Sequence, residues 1–190
     1  MPTLKTHKSA LVIIPPYNVW EPIQTLRQRY DRKVRRWMPH ITLLYPFYPV
    51  GSLPPQYPKL QQLCARWRPF LICLRRFQTF YHGQSRYTLW LAPEPDTPLR
   101  TLQQDLQELF PECTEQSRYS TGFTPHLSIG QYRGPADEVE RLRAELERWW
   151  LPVHFLVDAV VLVTRDDPPN DVFYPVRTLP FGNQSPELAS

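Results

Sequence analysis

Short β-branched and aromatic runs, each cut off by proline, alternate along this chain with stretches whose apolar residues recur at helical spacing. Ala10 to Ile14 reads as a buried strand stopped by Pro15 and Pro16. Pro22 in a first turn, with Ile23, Leu26 and Tyr30 on one face, predicts a helix that the basic run Arg27 to Arg36 either continues or leaves as a loop. His40 to Phe47 predicts a second strand, and Leu60, Leu63, Cys64 and Trp67 mark the apolar face of a helix over 57–67. Leu71 to Phe80 and Arg86 to Ala92 form a strand pair around the turn residues His82 to Ser85. Pro98 opens a helix carrying Leu99, Leu102, Leu106 and Leu109. His126 to Tyr132 is a further strand, 136–150 a charged amphipathic helix, and Val153 to Thr164 a closing strand. Residues 1–180 are expected to form one domain and 181–190 a flexible tail.

The order of elements repeats. Strand, helix, strand opening Pro-His-Ile-Thr, helix and strand are followed by strand, helix, strand opening Pro-His-Leu-Ser, helix and strand. The expected fold class is therefore α+β and bilobal: two mostly antiparallel sheets with outer helices, related by a pseudo-twofold axis around a central cleft. That arrangement brings the two histidine-bearing strands face to face within one domain.

The candidate chemistry sits on those strands. In His40-Ile41-Thr42 and in His126-Leu127-Ser128 a histidine precedes a hydroxyl by two residues. Residues i and i+2 of a strand share a face about 6.5 Å apart, so each histidine and its hydroxyl look into the cleft while Ile41 and Leu127 turn to the core. The same alternation carries Gly130 and Tyr132 to the cleft, where Tyr132 is expected to stack on a base. With 21 serines and threonines among 190 residues, five histidines produce about half of one such spacing by chance, so two with the same flanking pattern stand out. Two histidines and two hydroxyls suit cleavage of a phosphodiester, above all a strained cyclic one. One histidine activates water, the other protonates the leaving oxygen, and Thr42 and Ser128 donate to the phosphate oxygens.

Composition narrows the setting. The longest apolar stretch, Val153 to Val163, is interrupted by His154 and Asp158 and is too short to span a membrane. No secretory leader is read at the start, and Cys64, Cys73 and Cys113 match neither a disulfide framework nor a zinc motif, which points to the cytoplasm. Eighteen arginines against four lysines in a chain of net charge +4 suit a nucleotide or RNA partner, and Arg27 to Arg36 reads either as a track for RNA or as a solvated face. Asp166, Asp167 and Asp171, interleaved with prolines, read as a turn, and His82 and His154 as structural residues. No metal-ligand cluster is read, and no cofactor is expected.

The motif pair resembles the 2H phosphoesterase superfamily, defined by two His-x-Ser/Thr-x motifs. It is most similar to the branch of 2′-5′ RNA ligases and RNA 2′,3′-cyclic phosphodiesterases. The matching text is PHITLLYPF around His40 and TPHLSIGQY around His126, and the order of elements matches from about residue 9 to 180. The resemblance implies a bilobal fold and metal-independent hydrolysis of RNA or nucleotide 2′,3′-cyclic phosphate ends, giving a 2′-phosphate; a monomer is expected. It implies His40 and His126 as the acid/base pair and Thr42 and Ser128 as phosphate-orienting hydroxyls. The branch often carries threonine where this chain has Ser128. The motifs identify the superfamily and leave the substrate open: a 3′ RNA exonuclease, a 2′-5′ phosphodiesterase or ligase, and a non-catalytic nucleotide- or RNA-binding module are the alternatives.

Overall fold

The computed structural model describes residues 4–182. Its elements, in chain order, are β1 (Ser9–Ile13), α1 (Trp20–Tyr30), β2 (Ile41–Leu44), α2 (Tyr57–Arg66), β3 (Phe70–Tyr81), β4 (Arg86–Glu94), α3 (Thr97–Leu109), β5 (Leu127–Arg133), α4 (Ala136–Trp149), β6 (Val153–Val157), β7 (Ala159–Thr164) and β8 (Tyr174–Pro180). The strands form one sheet in the order β6-β3-β4-β5-β2-β1-β7-β8, antiparallel throughout. The two expected sheets are the halves of this one, β6-β3-β4-β5 and β2-β1-β7-β8, meeting at the single register pair Ile41 and Leu127.

The halves are interleaved rather than sequential. Helix α1 follows β1 but packs on β5, and α3 follows β4 but packs on β2. Strand β3 closes the first sequence repeat, yet pairs with β4 and β6 beside the second histidine. The stretch Val153 to Thr164, read as one strand, is two. Strand β6 alternates buried and exposed positions at one edge of the sheet, whereas β7 is buried on both faces beside β1. Only Asp158 separates them, so the sheet curls until its ends approach, and the Phe181 N–H donates to the Asp158 carbonyl across that closure at 2.7 Å. A period-two apolar run does not record which neighbours its two halves find.

Periodicity also left β8 unread, because Tyr174–Pro180 buries only Leu179 among its seven residues. The expected tail begins too early. Phe181 is buried and stacks on Phe70, and the Gly182 N–H donates to the Trp67 carbonyl; the rest of that tail, 183–190, lies outside the described residues. The basic run leaves the helix at Tyr30 and continues as turns. The main core lies between the helices and the sheet, built by Leu11, Ile41, Leu43, Leu89, Leu91, Leu127 and their neighbours. A second, smaller cluster of Ala10, Val12, Val161, Val163 and Phe173 covers the opposite face of the His40 half.

Candidate active site

Both motif histidines sit one residue before a strand, at the seam where the halves meet. Ile41 faces Leu127, and continuing the antiparallel register one step either way sets His40 opposite Ser128 and Thr42 opposite His126. Opposed residues of such a pair lie about 5 Å apart and i,i+2 residues about 6.5 Å. The four side chains therefore occupy the corners of a small rectangle with the histidines on one diagonal. Ile41 and Leu127 are buried in the core, so the rectangle faces away from it.

Each imidazole is fixed in the same way. His40 Nδ1 lies 2.7 Å from the Met38 carbonyl, and His126 Nδ1 lies 2.8 Å from the Thr124 carbonyl. A carbonyl oxygen only accepts, so Nδ1 carries the proton and Nε2 is left as a basic nitrogen. The residue between carbonyl and imidazole is proline both times, Pro39 and Pro125. Its fixed φ holds the carbonyl in place, and its missing N–H leaves no competing donor. Thr42 and Ser128 are part-buried, and among the described residues neither hydroxyl has a partner.

A bulge follows each hydroxyl. Along β1, Leu11 pairs with Leu44 and Val12 with Thr42, skipping Leu43; along β4, Leu89 pairs with Gly130 and Trp90 with Ser128, skipping Ile129. Two successive residues then face the core, and the alternation is reversed beyond them. This reversal corrects the expectation for Gly130 and Tyr132. Gly130 faces α1, where a Cβ would collide with the Tyr30 backbone. Tyr132 does not line the cleft around His126; its hydroxyl donates to Glu138 at 2.7 Å. Gln131 takes the reversed position and bonds the Asp31 carboxylate and the Arg32 N–H.

The surroundings of the two histidines differ. His40 stacks on Trp37 at 4.3 Å, and Trp37 in turn stacks on Phe173 at 3.5 Å. Burial pushes the His40 imidazole from 6.5 down to about 4, against the Met38 bond and helped by the Arg27 guanidinium and the His126 ring. His126 meets the edges of Phe80 and Trp90 at 4.9 and 5.8 Å, and burial lowers its pKa as well. Beside it opens a cleft of about 510 Å³ bounded by Phe80, His82, Thr88, Tyr119 and Ser128.

Residues that sequence reasoning set aside belong to this region. His82, read as a turn residue, lines the cleft with its Nε2 2.8 Å from the Thr88 hydroxyl. Phe80 and Trp90 stack at 4.7 Å, and alternation on the hairpin, with Phe80 opposite Thr88 and Gln78 opposite Trp90, was the available signal. Arg27 is not a track for RNA. It is 2% exposed and grips Asp31 Oδ2 through Nη2 at 2.7 Å, while Nη2 also donates to the Trp37 carbonyl. It thereby fixes the loop that carries Trp37 toward His40. The acidic triplet is likewise dispersed, Asp167 pairing with Lys8 and Asp171 with Arg36. Among the described residues no group of His, Cys, Asp or Glu is placed to hold a metal ion, and no helix is long and apolar enough to cross a membrane. His154 is exposed on β6, away from the cleft.

The family model of the 2′-5′ RNA ligase superfamily matches residues 15–169. A protein of Geobacillus kaustophilus, provisionally named a phosphoesterase, is 30% identical over 126 residues, covering 65% of this chain and 69% of its own length. Among solved structures, TT0787 of Thermus thermophilus superposes with a TM-score of 0.62 at 20% identity over 94% of this chain and 100% of its own. Escherichia coli LigT complexed with 3′-AMP gives a TM-score of 0.62 at 16% identity, over 93% and 99%. These structural likenesses establish the fold.

Proposed function

The chain belongs to the 2′-5′ RNA ligase superfamily of 2H phosphoesterases, and from that premise we propose that it hydrolyses 2′,3′-cyclic phosphate ends of RNA or nucleotides to the 2′-phosphate. The observation that carries this reading is the pair of imidazoles, each with Nδ1 bound to a carbonyl two residues upstream and Nε2 left free, beside an unpartnered hydroxyl. One Nε2 takes a proton from water as its oxygen bonds to phosphorus. The bond from phosphorus to the ribose 3′ oxygen breaks, and the other imidazolium protonates that oxygen. Thr42 and Ser128 donate to the non-bridging oxygens that gain charge in the transition state. Both imidazoles are neutral in the free protein at neutral pH because burial lowers them. A phosphate anion bound between them favours the charged form of one, supplying the acid.

The nucleotide in the LigT complex supports a nucleotide-bearing substrate by likeness of fold alone. The three cysteines are free thiols, and we place the protein in the cytoplasm acting as a monomer without a cofactor. The deciding experiment is turnover of a short RNA ending in a 2′,3′-cyclic phosphate, in excess EDTA, with product isomers resolved. Wild type is expected to release the 2′-phosphate, and His40→Ala and His126→Ala to lose at least ~10²-fold in kcat. A folded wild type that binds the RNA without turnover would make this a binding module. Laddered products from a longer RNA would make it an exonuclease.

A further inference from the structure

Beside Ser128 the strand register sorts side chains into rows. Gln78, Trp90 and Ser128 lie in one line across β3, β4 and β5, Phe80, Thr88 and Gln131 in the next, and His82, Arg86 and Arg133 in the last. The rows take alternate residues of β4, so all three face away from the core residues Leu89 and Leu91. Four residues of strand separate Trp90 from Arg86, which sets the last row about 13 Å from Ser128. The two ends are joined by one cleft: His82 from the last row and Ser128 from the first both line the cavity of about 510 Å³ that holds His126.

The last row carries positive charge without compensation. Arg86 and Arg133 are directly opposed, an arrangement of like charges that destabilises a strand pair. Both are exposed, and among the described residues neither has a carboxylate partner; Arg86 Nε has only the Gly83 carbonyl, at 3.5 Å. Arg76, Arg100, Arg141 and Arg143 are each held by a carboxylate. The acids nearest the row are engaged elsewhere, Asp137 with Arg141, Glu138 with the Tyr132 hydroxyl and Asp31 with Arg27. Gln131 also bonds the Arg32 N–H, which brings the loop of the exposed Arg32 and Lys33, neither of them in an ion pair among the described residues, to the same corner. The backbone under both arginines is tied: the His82 N–H donates to the Arg86 carbonyl at 2.9 Å, and the Gly134 N–H to the Ser85 carbonyl at 3.0 Å. Two guanidinium forks on a fixed base, with no acid between them, match the oxygens of a phosphate group.

We infer that Arg86 and Arg133 form an anion subsite that takes a second phosphate group of the substrate, about 13 Å from the one that meets His126 and Ser128. The inference rests on the hydrolase assignment above and adds what that assignment does not contain, a demand for a second charged group at a set distance. The chemistry recognised is a phosphate, whether it comes from the 5′-polyphosphate of a nucleotide or from the backbone of a longer chain.

The test measures kcat/KM for a nucleoside 2′,3′-cyclic phosphate with a free 5′ hydroxyl, for the same compound with a 5′-triphosphate, and for a trinucleotide ending in the same cyclic phosphate. Wild type should favour a substrate with added phosphate about tenfold, the size of one hydrogen bond to a charged group. The gain should appear in KM rather than kcat, since the subsite lies away from the bond that breaks. Which of the two larger substrates gains identifies the source of the phosphate. Arg86→Glu sets an opposite charge across from Arg133, which favours the strand pair, and should bring the ratio to about one; Arg86→Lys should restore part of it. Taking the ratio within each protein cancels any change common to the substrates. The inference is overturned, with the hydrolase assignment left standing, by a wild-type ratio near one for both larger substrates or by a ratio that survives Arg86→Glu. A trinucleotide advantage that persists with neutral methylphosphonate linkages overturns it too. If nothing turns over, the hydrolase assignment fails, and the subsite is judged by affinity for the corresponding 2′-phosphates with and without the added phosphates. Tighter binding that Arg86→Glu abolishes supports it; equal affinities overturn it.

Discussion

The His40 and His126 halves share a backbone device and differ in everything set around it. Both imidazoles are fixed by a carbonyl two residues upstream across a proline, and both strands bulge one residue past the hydroxyl. Yet His40 stacks on Trp37, which Phe173 covers in turn and whose carbonyl the buried Arg27 holds, whereas His126 meets Phe80 and Trp90 edge-on and borders the cleft of about 510 Å³. A twofold motif thus fixes two imidazoles alike, while unrelated neighbours stack on one ring and set a cleft beside the other. If the proposed reaction holds, the cleft beside His126 is the place for the body of the substrate, and the asymmetry gives a symmetric pair of motifs a direction.

The largest test of this comparison is chemical. Under the proposed reaction, His40→Ala and His126→Ala should each lower kcat by ~10²–10⁴-fold in single-turnover assays, because the shared device would make both imidazoles proton carriers. A small loss at either one would break the likeness.

Next in size is a stability effect confined to the His40 half. Arg27→Ala leaves Asp31 buried without its cation and should destabilise the fold by about 3 kcal/mol in urea unfolding. It also releases the Trp37 carbonyl, so His40 should lose its ring stack before His126 is disturbed. An Arg27→Ala protein as stable as wild type would show that the loop is held by other contacts.

The pH dependence of folding separates the two rings more finely. His40 is held neutral by burial, its pKa falling from 6.5 to about 4. The unfolded chain therefore takes up a proton in that window and the folded chain does not. Stability is complete above pH 6.5 and declines as pH falls toward 4, by about 2 kcal/mol for a ring that is only part-buried. His40→Gln should flatten that decline in denaturant midpoints measured between pH 7 and 4.5, and should do so more than His126→Gln. An unchanged profile would place the titrating group elsewhere.

The smallest expected effect concerns Phe173. Phe173→Ala uncovers the outer face of Trp37 and should raise the His40 pKa by about one unit toward 6.5, since burial is the main cause of its depression. The His126 pKa in the same NMR titration should stay as in wild type. Equal shifts at both rings would mean that the two environments are not independent.

Much of the site was legible in the sequence, for a local reason. Alternation within a strand acts over two residues, so His40 with Thr42 and His126 with Ser128 share a face whatever surrounds them. Proline before each histidine was read only as part of the repeated motif; the carbonyl on its upstream side, which holds the imidazole, was not read. Tyr132 failed because a single skipped residue, Ile129, reverses the alternation, and nothing in Ser-Ile-Gly-Gln-Tyr records which strand lies alongside. Arg27 was grouped with its basic neighbours although the i,i+4 spacing to Asp31 was there to read; its second acceptor, the Trp37 carbonyl, belongs to the backbone and leaves no mark in the sequence.

By itself the sequence determined the types of all elements but β8, the α+β class, the repeat and the face that each histidine shares with its hydroxyl, since each depends on hydrophobic spacing or on residues a few positions apart. Tertiary structure alone decided that Val153 to Thr164 divides between opposite halves of the sheet, that Phe173 closes the His40 side, and that Phe80 and Trp90 wall the other. These depend on pairings between strands and rings distant in the chain, whose energies come from burial against a particular neighbour and leave no period in the sequence.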